Sequence, residues 1–207
     1  MHFIAFEGLD GSGKGTLIRL LSSALAERSI VFCLTREPGG TPLAEEIRNL
    51  LLRVGNEEPS PRAELLLYEA ARAQHVDRVI KPALARGEWA ICDRFIASTV
   101  AFQSRARGLD RASVDWLNTY AIDGAQPHLT VLLDLPVEVS AMRRKMRGEE
   151  SDRLENEDQV FHESVRAGYL EQAQAAPRSW LTLDATAAPE ALFALLSVHL
   201  RALGWWE

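Results

Sequence analysis

At 207 residues, with 47% hydrophobic and 25% charged side chains, the chain is long enough for one domain with a sizeable core and has an ordinary globular composition. A net charge of −6 argues against bulk nucleic-acid binding, so any polyanion has to be met at a local basic site. No run approaches the roughly 18–20 apolar residues of a membrane span, and no charged leader is visible, which predicts a cytoplasmic protein with no membrane partner.

Phe3 to Phe6 is a short apolar run, read as a strand, that ends in Glu7-Gly8-Leu9-Asp10-Gly11-Ser12-Gly13-Lys14-Gly15-Thr16. Gly8, four residues, Gly13 and Lys14 match the spacing of a phosphate-binding loop. That chemistry needs glycines because polyphosphate oxygens lie against a ring of backbone N–H groups that Cβ atoms would block. The following helix adds free N–H groups and its positive dipole end, and Lys14 supplies a mobile charge for the β- and γ-phosphates. The alternative, an ordinary glycine turn, does not account for strand, loop, lysine and helix in that order. After the lysine, where a Ser or Thr commonly binds Mg²⁺, stands Gly15, with Thr16 one residue later; metal binding through waters is therefore expected.

Helical periodicity follows from Leu17 to Leu25, then a second apolar strand from Ile30 to Leu34. After Thr35-Arg36-Glu37-Pro38-Gly39-Gly40, Thr41 with Pro42 opens a helix to about Leu52, and Ser60-Pro61 opens another by the same device. The latter is expected to reach Ala85 with a kink near Pro82, stopped by Gly87. Trp89 to Cys92 is the third strand, ending at Asp93-Arg94, with helices expected over 96–105 and 110–121. Thr130 to Leu133 is the fourth strand, ending at Asp134. Pro136 opens a helix that dissolves into the basic run Met142-Arg143-Arg144-Lys145-Met146-Arg147-Gly148. A charged stretch leads to a helix ending near Ala175, a fifth strand at 180–183 and a last helix over 189–203.

Strands that are almost continuous apolar runs, alternating with helices, predict an α/β fold: a five-stranded parallel sheet covered by helices on both faces, in the three-layer manner of P-loop NTPases. Ligands then belong at the carboxyl ends of the strands, where the loop, Arg36-Glu37, Asp93-Arg94 and Asp134 all fall. Without repeats, low-complexity tracts or linkers, residues 1–207 read as one domain. Cys33 and Cys92 sit in predicted buried strands and read as reduced core thiols, and the five histidines show no metal spacing.

With these motifs placed, the chain resembles the thymidylate kinase family, P-loop enzymes that phosphorylate dTMP with ATP. The resemblance runs from Phe3 to about Leu203. It rests on Phe6-Glu-Gly-Leu-Asp-Gly-Ser-Gly-Lys-Gly-Thr16, Thr35-Arg-Glu-Pro-Gly-Gly-Thr41, Ala70-Ala-Arg72 with Val79-Ile-Lys-Pro-Ala83, Asp93-Arg94-Phe95 with Ser98-Thr99, and Leu183-Asp-Ala-Thr186 on the adenine side. It implies an ATP site over Gly8, Leu9, Asp10, Gly11, Ser12, Gly13, Lys14, Gly15 and Thr16, with Mg²⁺ held through waters near Asp93 and Glu37. For dTMP it implies Asp10, Arg36, Glu37, Arg48, Tyr68, Arg72, Asp93, Arg94, Ser98, Thr99 and Phe102.

Within that set, Arg94 is expected on the acceptor phosphate, Arg72 on the thymine base and Tyr68 stacked against it. Phe102 stands where a tyrosine often crowds the 2′-position of the sugar, keeping the bulk without the hydroxyl. Arg48 reads equally as a solvated ion pair, and Asp134 equally as a strand-end cap or a metal-water ligand. Gly11 takes the place of a loop arginine, which implies the bacterial subgroup with a mobile basic lid, here about 143–157, and makes Arg143, Arg147 and Arg153 its catalytic candidates beside Lys14 and Arg94. A homodimer is also implied. The rival readings are another nucleotide or deoxynucleoside kinase on the same scaffold, and a nucleotide-binding switch with no acceptor. A switch would carry a hydroxyl residue after Lys14 and gives no reason for Arg72, Arg94 and the basic run to coexist.

Overall fold

The structure, a computed structural model, describes residues 1–55, 57–148 and 152–206. Among these, β1 (Phe3–Glu7), β2 (Phe32–Arg36), β3 (Trp89–Asp93), β4 (Leu129–Asp134) and β5 (Trp180–Asp184) form a sheet in the order β2-β3-β1-β4-β5, every pair parallel. The α/β, three-layer P-loop architecture expected from the sequence is therefore present. β1 lies in the middle because it is apolar on both faces: Ile4 and Phe6 join one core, Phe3 and Ala5 the other. The chain leaves β1 for β2 on one side and reaches β4 on the other. The crevice where strand order reverses thus opens above the loop that follows β1.

Helices α1 (Lys14–Glu27) and α9 (Pro189–Ala202) cover one face, with Leu17, Leu21 and Leu25 packed among Leu192, Leu196 and Leu200. The other helices are α2 (Pro42–Leu52), α3 (Pro61–His75), α4 (Lys81–Ala85), α5 (Ile96–Thr99), α6 (Arg111–Ile122), α7 (Val137–Arg147) and α8 (Gln159–Ala175). Thr41 caps α2 as expected, its Oγ1 accepting from Ala44 N at 3.1 Å. Ser60 does not cap α3, which starts on Pro61 alone. The kink expected near Pro82 is a π-helical turn over Val76–Ile80 between α3 and α4; a widened turn accommodates a ring that lacks an N–H. The helix expected over 96–105 is likewise α5 followed by a π-helical stretch, Val100–Ala106. Continuous burial fails at the sheet edges: on β2, Leu34 is exposed and Cys33 only half-buried, because an edge strand has one open flank. The basic run does not dissolve the helix it belongs to; α7 continues through it to Arg147, and Gly148 closes it at φ 70°.

The two ends of the chain meet beneath the sheet. The His2 ring stacks on Trp205 at 4.0 Å and meets Trp89 edge-on at 4.7 Å, while Trp206 stacks over Trp89 and under the Arg28 guanidinium. His128 Nδ1 accepts from Phe3 N at 2.9 Å and faces His2 across 6.1 Å. Burial, the N-terminal amine and His128 lower the His2 imidazole from 6.5 to about 4. A lowered folded-state pKa means that the unfolded chain binds the extra proton, so this contribution is intact above pH 6.5 and is lost as pH falls towards 4. Trp206→Ala should cost about 3–5 kcal/mol in urea unfolding. His2→Phe should flatten the fall in stability between pH 6.5 and 4 relative to wild type; an unchanged pH profile would remove His2 from the clasp's acid sensitivity.

Candidate active site

The loop after β1 delivers its glycines at the carboxyl end of the central strand. α1 begins at Lys14 with Gly13 at its N-cap and no side chain on its first amides, so free N–H groups face the crevice. Lys14 is buried and folds back on the carbonyls of Gly8 (3.1 Å) and Leu9 (3.2 Å), with Asp10 at 3.9 Å. Burial first, then the Arg94 charge, lowers its pKa, so the ammonium is held without a full set of anionic partners. Asp10, Gly11, Gly13, Lys14, Gly15 and Thr16 line a cavity of about 580 Å³. Leu9 and Ser12 point inward, so with Gly8 they can offer a ligand only backbone groups.

Arg94 stands across the cavity from the loop. Its Nη2 donates to Asp10 Oδ1 at 2.8 Å, and its Nη1 to Tyr169 Oη at 3.0 Å and Ser98 Oγ at 3.3 Å. Its backbone is left-handed, φ 70°, a conformation a non-glycine residue holds only when its surroundings over-determine it. Burial opposes the Asp10 charge, but Arg94 and then Lys14 more than offset it, and the carboxyl stays well below its ordinary range. An acid of the glycine loop is thus tied to an arginine of the cavity wall.

The far wall carries the remaining acceptor-side candidates. Arg36 pairs with Glu45 at 3.0 Å on the exposed rim. Arg48 is not a solvated ion pair: its Nη1 donates to Pro38 O at 2.9 Å, and burial, then Arg36, lowers its pKa. Two cations crowded on one rim favour an anion between them. Tyr68, Ser98, Thr99 and Phe102 line the same cavity, as do Asp93, Leu154 and Gln103.

Arg72 and Glu37 also line the cavity, and both are heavily paired within the protein. Arg72 is 1% exposed; its Nε donates to Glu37 at 2.7 Å and its Nη1 to Glu69, Thr99 and Asn118 at 2.7–2.8 Å, leaving chiefly the Nη2 end, on Phe95 O at 3.3 Å, for a ligand. Glu37 engages both oxygens, on Arg72 Nε and on His75 Nδ1 (2.9 Å), so it acts as the counter-ion of Arg72. Asp93 fits a place beside metal-bound waters, because its Oδ1 is buried, faces the crevice and has no partner. Asp134 is a strand-end anchor, both oxygens taken by Arg166 at 2.7 and 2.8 Å. Among the described residues no group of three or more His, Cys, Asp or Glu is spaced to hold a metal directly.

A family model described as thymidylate kinase matches residues 6–195. The chain belongs to the thymidylate kinase family. It is 55% identical over 197 residues to the thymidylate kinase of Bdellovibrio bacteriovorus, covering 93% of this chain and 92% of that protein. It is 50% identical over 188 residues to that of Geotalea daltonii, covering 88% of each. The crystal structure of thymidylate kinase from Ehrlichia chaffeensis is similar to it at a TM-score of 0.75 and 33% identity, covering 96% of this chain and 98% of that one.

In this thymidylate kinase family member the basic residues beyond β4 divide into two kinds. α7 lies against the phosphate loop: Ser140 Oγ donates to Asp10 O at 2.7 Å and Arg143 Nη1 to Gly11 O at 3.2 Å. A Cβ at Gly11 would come within 3.1 Å of the Arg143 Cβ, so the glycine is what admits the arginine helix. The side chain of Arg147 lies outside the described residues. Arg153, expected to be catalytic, is instead buried at 4% exposure, with Nη2 on Glu64 at 2.5 Å and Nε on Leu51 O at 3.0 Å. Glu64 also accepts from Gln103 at 2.7 Å and from Arg107 at 3.3 Å. The reason is topological: Arg153 returns beside α2 and α3, away from the loop, where a buried acid awaits it. In the Leu183-Asp-Ala-Thr186 stretch, Asp184 accepts from Thr186 N and Oγ1 in a local turn.

Several residues here carried little sequence signal. Glu7 is an acid closing an apolar strand, which is a hint; Glu64, Glu69, Asn118, Gln103 and Tyr169 read as ordinary helix positions. Breaking the buried pair by Arg153→Met should destabilise the fold by about 3–5 kcal/mol in urea unfolding. Arg143→Ala should leave stability within about 0.5 kcal/mol and slow turnover. The reverse pattern would return Arg153 to the reacting groups.

Proposed function

We infer that this chain transfers the γ-phosphoryl group of ATP to the 5′-phosphate of dTMP, giving dTDP. The observation that carries the reading is the 2.8 Å bond between Arg94 and Asp10, which joins an acceptor-side guanidinium to the phosphate loop across one cleft. Transfer needs no protein nucleophile, because the acceptor phosphate is itself an anion. The protein's part is placement and charge neutralisation. Loop amides and Lys14 hold the donor phosphates, Arg94 with Arg36 and Arg48 receives the acceptor phosphate, and Arg143 and Arg147 on α7 supply further positive charge. Excluding water from the closed cleft prevents hydrolysis of ATP.

Asp93, through its unpartnered Oδ1, would hold Mg²⁺ by way of waters. Held there, the ion would supply positive charge against the charge that builds on the transferring phosphoryl group. Thymine lies between Tyr68 and the Arg72 Nη2 end, whose remaining N–H meets a carbonyl at the 4-position; Phe102 crowds the 2′-position. We read residues 1–207 as one catalytic domain that works in the cytoplasm, a reading with which the two free thiols agree. It pairs as a homodimer through exposed apolar side chains of α3 and α6, among them Leu66 and the Trp116 and Tyr120 rings, which stack at 5.8 Å. Among the described residues no helix is long and apolar enough to cross a membrane.

Lys14→Ala should remain folded and lose transfer by at least ~10³-fold in a coupled ATP/dTMP assay, the scale of a lost transition-state charge contact. Near-normal turnover would falsify the loop assignment. The base reading is checked by kcat/KM for dTMP, dUMP and dCMP. Cytosine offers an amino group where Arg72 needs an acceptor, so dCMP should fall by about ten- to several-hundred-fold. One methyl in an apolar pocket is worth only about 1–3 kcal/mol, so dUMP should stay a detectable substrate. A wild-type preference for dCMP would overturn the thymine assignment.

A further inference from the structure

Tyr169 sits on α8, far in sequence from the motifs that compose the cleft, and its ring is 1% exposed. Its hydroxyl is nevertheless at a junction of functional groups. Oη donates to Glu7 Oε2 at 3.0 Å, accepts from Arg94 Nη1 at 3.0 Å and lies 2.8 Å from Ser98 Oγ. Glu7, fully buried, accepts in addition from Ser98 Oγ at 2.7 Å, from Phe95 N at 2.8 Å and from Ser98 N at 3.2 Å. The backbone of residues 95 and 98, in the segment that directly follows Arg94, is therefore bound to the same carboxylate that orients the phenol. The Phe102 ring closes the arrangement, 5.4 Å from the Arg94 guanidinium and edge-on to Tyr169 at 6.4 Å. α8 comes close enough because residue 168 is glycine: a Cβ there would stand 3.0 Å from the Arg105 Cβ and 3.1 Å from the Ala101 Cα.

We propose that Tyr169 is a positioning residue: its hydroxyl, oriented by Glu7, sets the plane of the Arg94 guanidinium so that its outer N–H groups meet the acceptor's phosphate. An arginine held only by Asp10 at Nη2 could rotate about that bond. At Nη1 the 3.0 Å bond to the Tyr169 phenol, shorter than the 3.3 Å bond to Ser98 Oγ beside it, is the main restraint on that freedom, and a neutral phenol supplies it without cancelling the positive charge the phosphate needs. The fixed fork is thus prepared before the ligand arrives, which is where electrostatic catalysis gains most. The proposal rests on reading the cleft as the dTMP site, and it assigns Tyr169 and Glu7 no contact with substrate.

The test compares dTMP with thymidine, which shares the base and sugar but lacks the phosphate, by calorimetric binding to wild type, Tyr169→Phe and Glu7→Gln. Removing one hydrogen bond to a charged group should weaken dTMP about tenfold, leave thymidine and ATP within about twofold, and lower kcat for dTMP. Glu7→Gln keeps the shape but presents an amide donor where the phenol needs an acceptor, and should show the same phosphate-selective loss. In an Arg94→Lys background Tyr169→Phe should cost less than about threefold, since the fork it orients is gone. Equal weakening of dTMP and thymidine would make Tyr169 a general support of the pocket and overturn the proposal, as would unchanged dTMP affinity in both variants. The binding comparison needs no turnover, so absence of dTMP phosphorylation by wild type would sink the kinase reading separately.

Discussion

A carboxylate buried at the end of the central strand has to be satisfied by its neighbours, and the cleft is organised around that requirement. Glu7 is fully buried, and burial pushes its pKa up against the opposing pull of Arg94. Backbone and side-chain donors from the turn after β3 and from α8 converge on it. Because an unsatisfied buried charge is so costly, these donors cannot drift apart without a large loss of stability. The geometry of the phosphate-facing arginine is thereby tied to the integrity of the fold, which explains how Arg94 keeps a strained backbone.

The same logic repeats around Arg72, at the end of the cavity proposed to hold the base. Arg72 is encircled by Glu37, Glu69, Thr99 and Asn118, with His75 completing the hold on Glu37. Burial opposes its charge, but Glu37 and Glu69 prevail and its pKa rises. A guanidinium so committed has few donors left, and those it has are rigidly aimed. On the proposed reading, selectivity would come from what the fixed group cannot pair with, since a ligand offering a donor would leave both partners unsatisfied.

Positive charge around the loop is divided between two mechanical roles. Arg143 on α7 contacts the loop backbone from a partly exposed helix. Arg153 locks the returning chain to Glu64, which also holds Gln103 in the cavity wall and Arg107. One cation is placed where a phosphate can meet it, and the other is spent on joining α2, α3 and the start of α8. The difference lies in whether a buried acid is within reach.

Much of the fold was legible because local patterns dictate it. Apolar runs at 3–6, 89–92 and 130–133 demand a buried parallel sheet, and a glycine loop before Lys14 demands a backbone cradle at the head of a helix. Arg94 and Asp10 could be proposed for the cleft because they lie in or beside such patterns, whereas Tyr68 was placed there by the family resemblance. Which arginines are free and which are consumed was not legible: Arg153 in a basic stretch and Arg72 on a helix look alike in sequence, and so do Glu37 and Asp93 after their strands. Their fates depend on partners 27 to 89 residues away, such as Thr99 and Asn118 for Arg72 and Glu64 for Arg153. Composition and periodicity settle which face of an element is buried. The pairing of charges inside that burial is decided only when distant elements pack, because it depends on which acid each cation meets.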